Sequence, residues 1–453
     1  MSAKPTPVPE PANPAATSAL STSPQRWWLL LLLFTAMLVG YAHRGALSVA
    51  APFMSEELGL NKAGMGLALS AFFWVYSFMQ MPSGWMVDRF GVRRAYSISF
   101  AGWSLTSALT GFANGFVSLL GLRVLLGMGQ AISFPATSRA VANWFQHRER
   151  GTVTGIYLTG VRFGNALIVW VGGVFLARHS WKLFFLLTGL IPLVWLVPWS
   201  KFLGTWERDP ASSRRSTAEA SNSISFVDGM RLLKNRSVLG IFLGFFAYDY
   251  GWYVFITWLP GYLTLERKFT PEEMGMLGSM PFLVMAAIIV VSGMVSDWLV
   301  RRSGDERRIR KLLIVVGLGI GCLIVPAGFV ADRNTAVVLL TISLAGLGIC
   351  SPNTWTLTQA VCERRIVGTV TGIQNFGGNL GGILAPALTG FIAHSTDSFA
   401  MALGLTGAIL FGGTLAYWFL ISGNVESAGA GDSDTGSEGE VRLSAGAAVP
   451  GRS

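Results

Sequence analysis

About twelve apolar runs follow one another along this chain, and each has close to the length that crosses a lipid bilayer. A hydrocarbon core of about 30 Å requires about 20 apolar residues in a helix. The runs begin at Trp27 and recur until about residue 421, with short polar loops between them. Only 13% of the residues are charged, whereas soluble proteins carry about 25% charged residues. The sequence therefore predicts an all-α membrane protein with twelve transmembrane helices.

Changes in composition divide the chain into five parts. Residues 1–25 are rich in Pro, Ala, Ser and Thr, and residues 423–453 in Gly, Ser and acidic residues, so both are predicted to be disordered cytoplasmic tails. The charged, Ser-rich residues 206–236 form a predicted cytoplasmic linker. This linker joins two predicted six-helix halves, at residues 26–205 and 237–422.

The distribution of basic residues predicts the orientation in the membrane. Five alternate loops hold about 21 Lys and Arg, and the five loops between them hold about 6. Basic loops stay on the cytoplasmic side, so both termini are predicted to be cytoplasmic in a multi-pass protein of the cell membrane. The same rule accounts for the net charge of +10, and no nucleic-acid partner is needed to explain it.

Two motifs occur twice in the same order. The sequence GTVTGI at residues 151–156 recurs at residues 368–373, each time at the start of the predicted fifth helix of a half. Gly84-Trp-Met-Val-Asp88 has a partial copy in Gly293-Met-Val-Ser-Asp297, each time after a predicted second helix. Duplicated halves are typical of secondary transporters. The repeat therefore predicts two pseudo-symmetric halves.

Three arginines lie inside apolar segments, namely Arg44, Arg123 and Arg162. A charge at membrane depth costs about 3 kcal/mol or more and normally faces a bundle interior or a wet cavity. Gln130 follows Arg123 by seven residues, which is two helical turns, so both side chains lie on one face. We therefore predict that the fourth helix lines the pathway of a transporter.

The loop between the second and third predicted helices resembles the signature loop of the major facilitator superfamily. Its matching residues are Gly84, Asp88, Arg89, Gly91, Arg93 and Arg94, with the partial copy at Asp297. By this reading the glycine allows close helix packing and Asp88 accepts hydrogen bonds from a neighbouring helix N-terminus. The arginines hold a cytoplasmic gate. The resemblance implies the major facilitator fold.

Within that superfamily, the chain resembles the anion:cation symporter family over about residues 27 to 421. The residues that carry this resemblance are 41–52 and 70–76, Gln80, Pro82, Gly84, Arg123, Phe134, Pro135, 258–263, Asn375 and Gly378. It implies proton-coupled transport of a small organic anion by alternating access, with a sugar acid of the hexonate, hexarate or hexuronate class as substrate.

The same resemblance implies roles for particular residues. Arg44 and Arg123 would bind the substrate carboxylate, and a guanidinium suits this because it presents planar paired donors and stays charged. The implied substrate contacts also include Tyr41, Tyr76 and Gln130 from the first half and Trp355 and Asn375 from the second. Helix packing is the open alternative for the two tyrosines and Trp355.

Two positions depart from the sugar-acid members of that family, where acidic residues associated with proton coupling often occur. Here they are His43 and Gln130, and glutamine does not titrate. Our hypothesis is that Asp249, near the middle of the seventh helix, binds the proton, with His43 as second candidate. The open alternative is that Asp249 neutralises Arg162 or another buried arginine.

Other functions remain as alternatives. An exchanger of organophosphate for phosphate would, by resemblance, carry one arginine on helix 1 and one on helix 7, where this chain has Asp249. An uncoupled carrier and an anion sensor that does not transport are also open, although neither tail is large enough for a signalling domain. The sequence lacks a metal cluster, a nucleophile–base pair and a phosphate-binding loop, so we predict that the protein is not an enzyme and binds no cofactor. We also predict that it works as a monomer.

Overall fold

The computed structural model describes most of the predicted helical part of the chain. The described residues are 25–145, 149–204, 232–363, 366–423 and 425. The predicted tails at 1–25 and 423–453 and the predicted linker at 206–236 therefore lie almost wholly outside the described residues.

Twelve helices occur in the described residues, six in each half. The first half contains α1 Arg26–Glu57, α2 Lys62–Phe90, α3 Val92–Leu109, α4 Phe116–Trp144, α5 Arg150–Leu176 and α6 Trp181–Phe202. The second half contains α7 Arg236–Gly261, α8 Pro271–Ser303, α9 Glu306–Phe329, α10 Arg333–Val361, α11 Val367–Ser395 and α12 Ala400–Leu415. The predicted all-α fold with two six-helix halves is confirmed.

Ten of these helices are long and apolar enough to cross a membrane, with α7 and α12 counted together with the π-helical turns that follow them. The two helices outside that set are α2 and α3, whose adjoining ends carry Asp88, Arg89, Arg93 and Arg94. Gly91 lies between them with φ of +80°, a backbone conformation that favours glycine over residues with a Cβ atom. The chain therefore turns sharply here, at what we call the signature end of the bundle.

Side-chain caps begin several helices at the opposite end. The Asn61 side chain accepts a hydrogen bond from Gly64 N at the start of α2 (2.8 Å). Thr270 and Glu273 form a reciprocal capping box at the start of α8. Asp332 accepts from Thr335 N at the start of α10 (2.8 Å). Because these caps satisfy backbone donors that have no partner within the helix, they define where each helix begins.

The two halves are joined at the end opposite the signature end. Ser70 Oγ of α2 donates to the Ile383 carbonyl oxygen of α11, and Ser48 Oγ of α1 donates to that of Thr257 of α7, each at 2.6 Å. Lys62 Nζ reaches Asp397 Oδ1 at 2.8 Å, and this hydrogen bond holds the pKa of the Asp397 carboxyl below its ordinary value.

Glycine backbones allow close approach at the same end. A Cβ atom on Gly173 of α5 would lie 2.5 Å from the Pro271 carbonyl oxygen of α8, and one on Gly66 of α2 would lie 2.6 Å from that of Pro386 of α11. Toward the signature end, Asn375 Nδ2 of α11 donates a hydrogen bond to Gln80 Oε1 of α2 at 2.9 Å, so the halves also contact each other there. Among the described glycines, the closest backbone contacts between the halves are at the opposite end, which is therefore closed.

Replacing Gly173 with leucine is expected to separate the halves at this closed end. Overpacking costs about 1–3 kcal/mol, which shifts a two-state equilibrium about tenfold to a hundredfold. Spin labels at the exposed Arg178 and Glu272, which follow α5 and begin α8, should report a longer mean distance. Gly404→Leu is the matched control, because a Cβ there meets no atom within 4 Å. An unchanged distance in Gly173→Leu would contradict the prediction.

Candidate functional site

Two arginines predicted from the sequence lie together in the interior of the first half. Arg44 of α1 and Arg123 of α4 are only 4% and 3% exposed. Phe72 of α2 lies against both, with its ring centroid 4.6 Å from Arg44 Cζ and 5.4 Å from Arg123 Cζ. The rings of Tyr41 and Tyr76 also lie 4.3 and 4.4 Å from Arg44 Cζ. Aromatic faces thus stabilise the cations without neutralising them.

Gln130 holds Arg44 in place. Its Oε1 accepts a hydrogen bond from Arg44 Nε at 2.8 Å, and its Nε2 donates to the Gly40 carbonyl oxygen at 3.0 Å. Both bonds are buried, so the amide is fixed between α4 and α1. Because an amide is uncharged, Gln130 orients the Arg44 guanidinium but leaves its charge in place.

Both guanidinium groups have donors without a partner. Arg44 Nη1 and Arg123 Nε are buried and make no hydrogen bond. Among the described residues neither arginine forms an ion pair with a carboxylate. Buried charges in proteins are normally paired and hydrogen-bonded, since an unpaired one is costly. The pair is therefore a candidate site for an anionic group.

A second charged cluster joins the two halves. The Arg162 guanidinium of α5 stacks on Trp252 of α7, with Cζ 3.7 Å from the ring centroid. Its Nη2 donates to the hydroxyl oxygen of Tyr248, also on α7, at 3.3 Å. Arg162 is half-buried, so part of its donor edge remains accessible.

Asp249 lies beside this cluster on α7 and packs against α11. A Cβ atom on Gly378 of α11 would overlap the Asp249 Oδ2. The Asp249 carboxylate therefore fits against α11 because residue 378 is a glycine. Among the described residues Asp249 makes no ion pair. Tyr253, also on α7, contacts the Phe73 ring of α2 at 4.4 Å, and Phe73 contacts Phe72 at 4.9 Å. Aromatic contacts therefore connect α7 to the residues around Arg44 and Arg123.

The remaining predicted residues lie at different places. Asn375 Nδ2 of α11 donates to Gln80 Oε1 of α2 at 2.9 Å, so it bridges the halves. Trp355 of α10 is half-buried and packs edge-on against Phe245 at 5.0 Å. His43 points toward α6.

The His43 ring is held by a backbone carbonyl. Its Nε2 lies 2.8 Å from the Thr188 carbonyl oxygen, and its side chain is 1% exposed. A carbonyl oxygen only accepts, so Nε2 carries the proton and donates it. The ring therefore packs inside the first half, on the side of α1 that faces α6.

A family profile described as "Major Facilitator Superfamily" matches residues 29–386. The chain belongs to this superfamily. A D-galactonate transporter of Escherichia coli O6:H1 is 33% identical, covering 89% of this chain and 97% of the relative. A hexuronate transporter of Bacillus subtilis is 33% identical, with 86% and 93% covered. A probable galactarate/D-glucarate transporter of E. coli K12 is 31% identical, with 87% and 94% covered.

Solved structures of transporters share the superfamily fold. A bacterial homologue of the human lysosomal transporter Spinster, in an inward-facing and occupied conformation, matches with a TM-score of 0.71, 17% identity, and 88% of this chain and 97% of that one covered. A D-xylose–proton symporter matches with a TM-score of 0.66, 16% identity, and 88% and 98% covered. The predicted resemblance to sugar-acid carriers of this superfamily is confirmed, and the chain is a multi-pass membrane protein.

The superfamily signature loop is held within the first half in this conformation. Asp88 Oδ1 pairs with Arg139 Nη1 of α4 at 3.4 Å. Its counterpart Asp297 pairs with Arg310 Nη2 of α9 at 3.1 Å. The prediction that Asp88 accepts hydrogen bonds from a helix N-terminus stays a prediction, and the structure adds a guanidinium as its ionic partner. A Cβ on Gly84 would meet no atom within 4 Å, so close packing is not required there in this conformation.

Two other signature residues have described contacts within the first half. Trp199 Nε1 of α6 donates to the Arg93 carbonyl oxygen at 3.4 Å. Arg89 Cζ lies 5.7 Å from the Trp85 ring centroid. The gating role of Arg89, Arg93 and Arg94 stays a prediction.

Sequence reasoning missed several residues that build this superfamily member's site. Phe72 lies under both arginines, and its spacing of four from Tyr76 places the two rings on one helical face, a signal available in the sequence. Trp252 and Tyr248 frame Arg162 from α7. Their role depends on how α7 packs against α5, and the spacing of residues in the sequence does not predict that packing.

Proposed function

We infer that this protein is a secondary active transporter of sugar acids. The observation that carries this inference is the pair of buried, permanently charged guanidinium groups, Arg44 and Arg123, with donors that no described residue satisfies. A carboxylate accepts paired hydrogen bonds from such groups and neutralises charge that is otherwise costly inside a membrane. The relatives named for galactonate, hexuronate and galactarate/D-glucarate transport support a carboxylate of this class.

The polar residues around the arginines suit a hydroxylated chain. Tyr41 and Tyr76 flank Arg44, and their hydroxyls both donate and accept hydrogen bonds. From the second half, Asn375 and Trp355 are half-buried and supply an amide and an aromatic face. A sugar acid meets both requirements because it combines a carboxylate with a row of hydroxyls.

The positions of the contacts between the two halves support transport by alternating access. They contact each other at the end opposite the signature end, and the charged groups lie in the interior between the two ends. Rocking of one half against the other around a fixed site exposes that site to each side in turn. With the signature end cytoplasmic, as the basic loops favour, this conformation faces the cytoplasm, and the protein works as a monomer in the cytoplasmic membrane.

We assign proton coupling to Asp249. Gln130 does not titrate, and the His43 ring is hydrogen-bonded to the Thr188 carbonyl oxygen. Asp249 is a carboxylate without an ion pair among the described residues, and it directly follows Tyr248, which accepts a hydrogen bond from Arg162. Because it packs against Gly378 of α11, its charge affects the contact between α7 and α11 directly.

A ligand screen of the purified full-length protein tests the substrate class. Galactonate, galactarate and galacturonate are expected to raise the melting temperature, and galactose and galactose phosphate are not. At 100 times the Kd, the ligand adds about 2.7 kcal/mol to the free energy of unfolding. Uptake of the stabilising acid into proteoliposomes then separates transport from binding without transport. Stabilisation by none of the acids, or binding without flux, would overturn the proposal.

A further inference from the structure

Arg162 is an intramembrane guanidinium that the Arg44–Arg123 site does not use. Among the described residues it makes one hydrogen bond, the long one to the Tyr248 hydroxyl at 3.3 Å. A guanidinium presents five donors, so most of its capacity is available. Its half-buried state keeps those donors within reach of the interior.

The platform beneath Arg162 is rigid. Trp252 is 3% exposed and packs edge-on against Phe282 of α8, with centroids 5.9 Å apart. The Arg162 Cζ lies 3.7 Å from the centre of the Trp252 ring, and the guanidinium makes one hydrogen bond among the described residues, so donors remain for a planar, paired acceptor. The arrangement therefore resembles a built half-site for a carboxylate.

The charges in the interior of the protein also favour a ligand with a second carboxylate. Away from the helix ends, the described membrane-spanning segments contain Arg44, Arg123, Arg162 and one carboxylate, Asp249. While Asp249 is ionised, this leaves an excess of two positive charges. Unbalanced charge is costly in low-dielectric surroundings, so a ligand with two negative charges balances the interior, whereas one with a single charge does not.

We propose that Arg162, on its Trp252 platform, is a second anion-binding point and that the preferred substrate is a sugar diacid. This proposal rests on the proposed function. One carboxylate binds Arg44 and Arg123, and the other binds Arg162. Tyr41, whose ring lies 4.3 Å from Arg44 Cζ, presents a hydroxyl to the part of the ligand next to the first carboxylate. The second carboxylate competes with Asp249 for the charge of Arg162. Binding of the diacid therefore affects proton binding at Asp249.

Matched pairs of acids with one carbon skeleton test this assignment. The purified full-length protein in proteoliposomes is given galactarate or galactonate, and glucarate or gluconate, and KM is measured for each. The wild type is expected to favour the diacid about tenfold, the effect of one charge-assisted hydrogen-bonded contact. Arg162→Gln should remove that preference by raising KM for the diacid while KM for the monoacid stays near the wild-type value.

Three further variants keep the test decisive. Arg178→Gln, at an exposed arginine just after α5, should leave both KM values unchanged. Arg162→Lys should give an intermediate preference, because an ammonium keeps the charge without paired donors. If Arg162→Gln fails to fold, Trp252→Leu removes the platform but keeps the charge, and it should also weaken the preference for the diacid.

The outcomes separate this proposal from the proposed function. A wild type that favours the monoacid, or an Arg162→Gln variant that affects both acids of a pair equally, would overturn the diacid assignment and leave sugar-acid transport standing. A wild type that takes up neither member of either pair would overturn the proposed function, and this assignment with it.

Discussion

Uptake of sugar acids should fall at least about a hundredfold in kcat/KM when Arg123 is replaced by glutamine. The substrate carboxylate then loses its charged partner on α4, and each hydrogen bond to a charged group contributes about 1.5–3 kcal/mol, so two such bonds exceed a hundredfold. Arg123→Lys should recover only part of the activity, because an ammonium lacks the planar fork. Initial rates in proteoliposomes, with the melting temperature of each variant, provide the measurement.

The same loss is expected for Arg44→Gln, whose side chain shares Phe72 with Arg123. Arg333→Gln is the matched control, since that guanidinium is at a helix end and pairs with Glu273 at 3.0 Å. Wild-type uptake by Arg123→Gln, or an equal loss in the Arg333 variant, would contradict the assignment of the carboxylate site.

Replacing Asp249 with asparagine should abolish accumulation driven by a pH gradient. With one proton carried per substrate, a gradient of one pH unit, acidic outside, supports about tenfold accumulation, equivalent to about 1.4 kcal/mol. Asparagine keeps the shape and packing against Gly378 but does not bind the proton. Exchange of labelled for unlabelled substrate, which needs no net proton movement, should persist in this variant.

The control for this measurement is Glu272→Gln, which removes an exposed carboxylate in the first turn of α8. It should accumulate substrate as the wild type does. Gradient-driven accumulation that survives in Asp249→Asn with unchanged stoichiometry would show that another group couples the proton. Loss of both accumulation and exchange would instead assign Asp249 a role in balancing the charge of Arg162.

The proposed function divides substrate binding and proton coupling between the two halves. Gln130 orients Arg44 through a hydrogen bond from a side chain that does not titrate. In this proposal the titrating group is Asp249, next to α11 in the second half. The first half would then bind the anion, and the contact between α7 and α11 would respond to the proton.

The sequence by itself determined the number of helices, their duplication and the two arginines inside the first half. Each of these follows from a local rule. Hydrocarbon requires a run of apolar residues for every crossing, and it penalises each charge in such a run whatever its neighbours are. Arg44 and Arg123 could therefore be singled out before any contact was known.

Only the tertiary structure decided which partners these groups have. Phe72 lies under two arginines from different helices, Asp249 packs against Gly378, and Arg162 stacks on Trp252. The His43 ring, a second candidate for the proton site by sequence, points to α6 instead. These arrangements depend on how each helix is rotated about its axis and on contacts between residues far apart in the chain, and helical periodicity specifies neither.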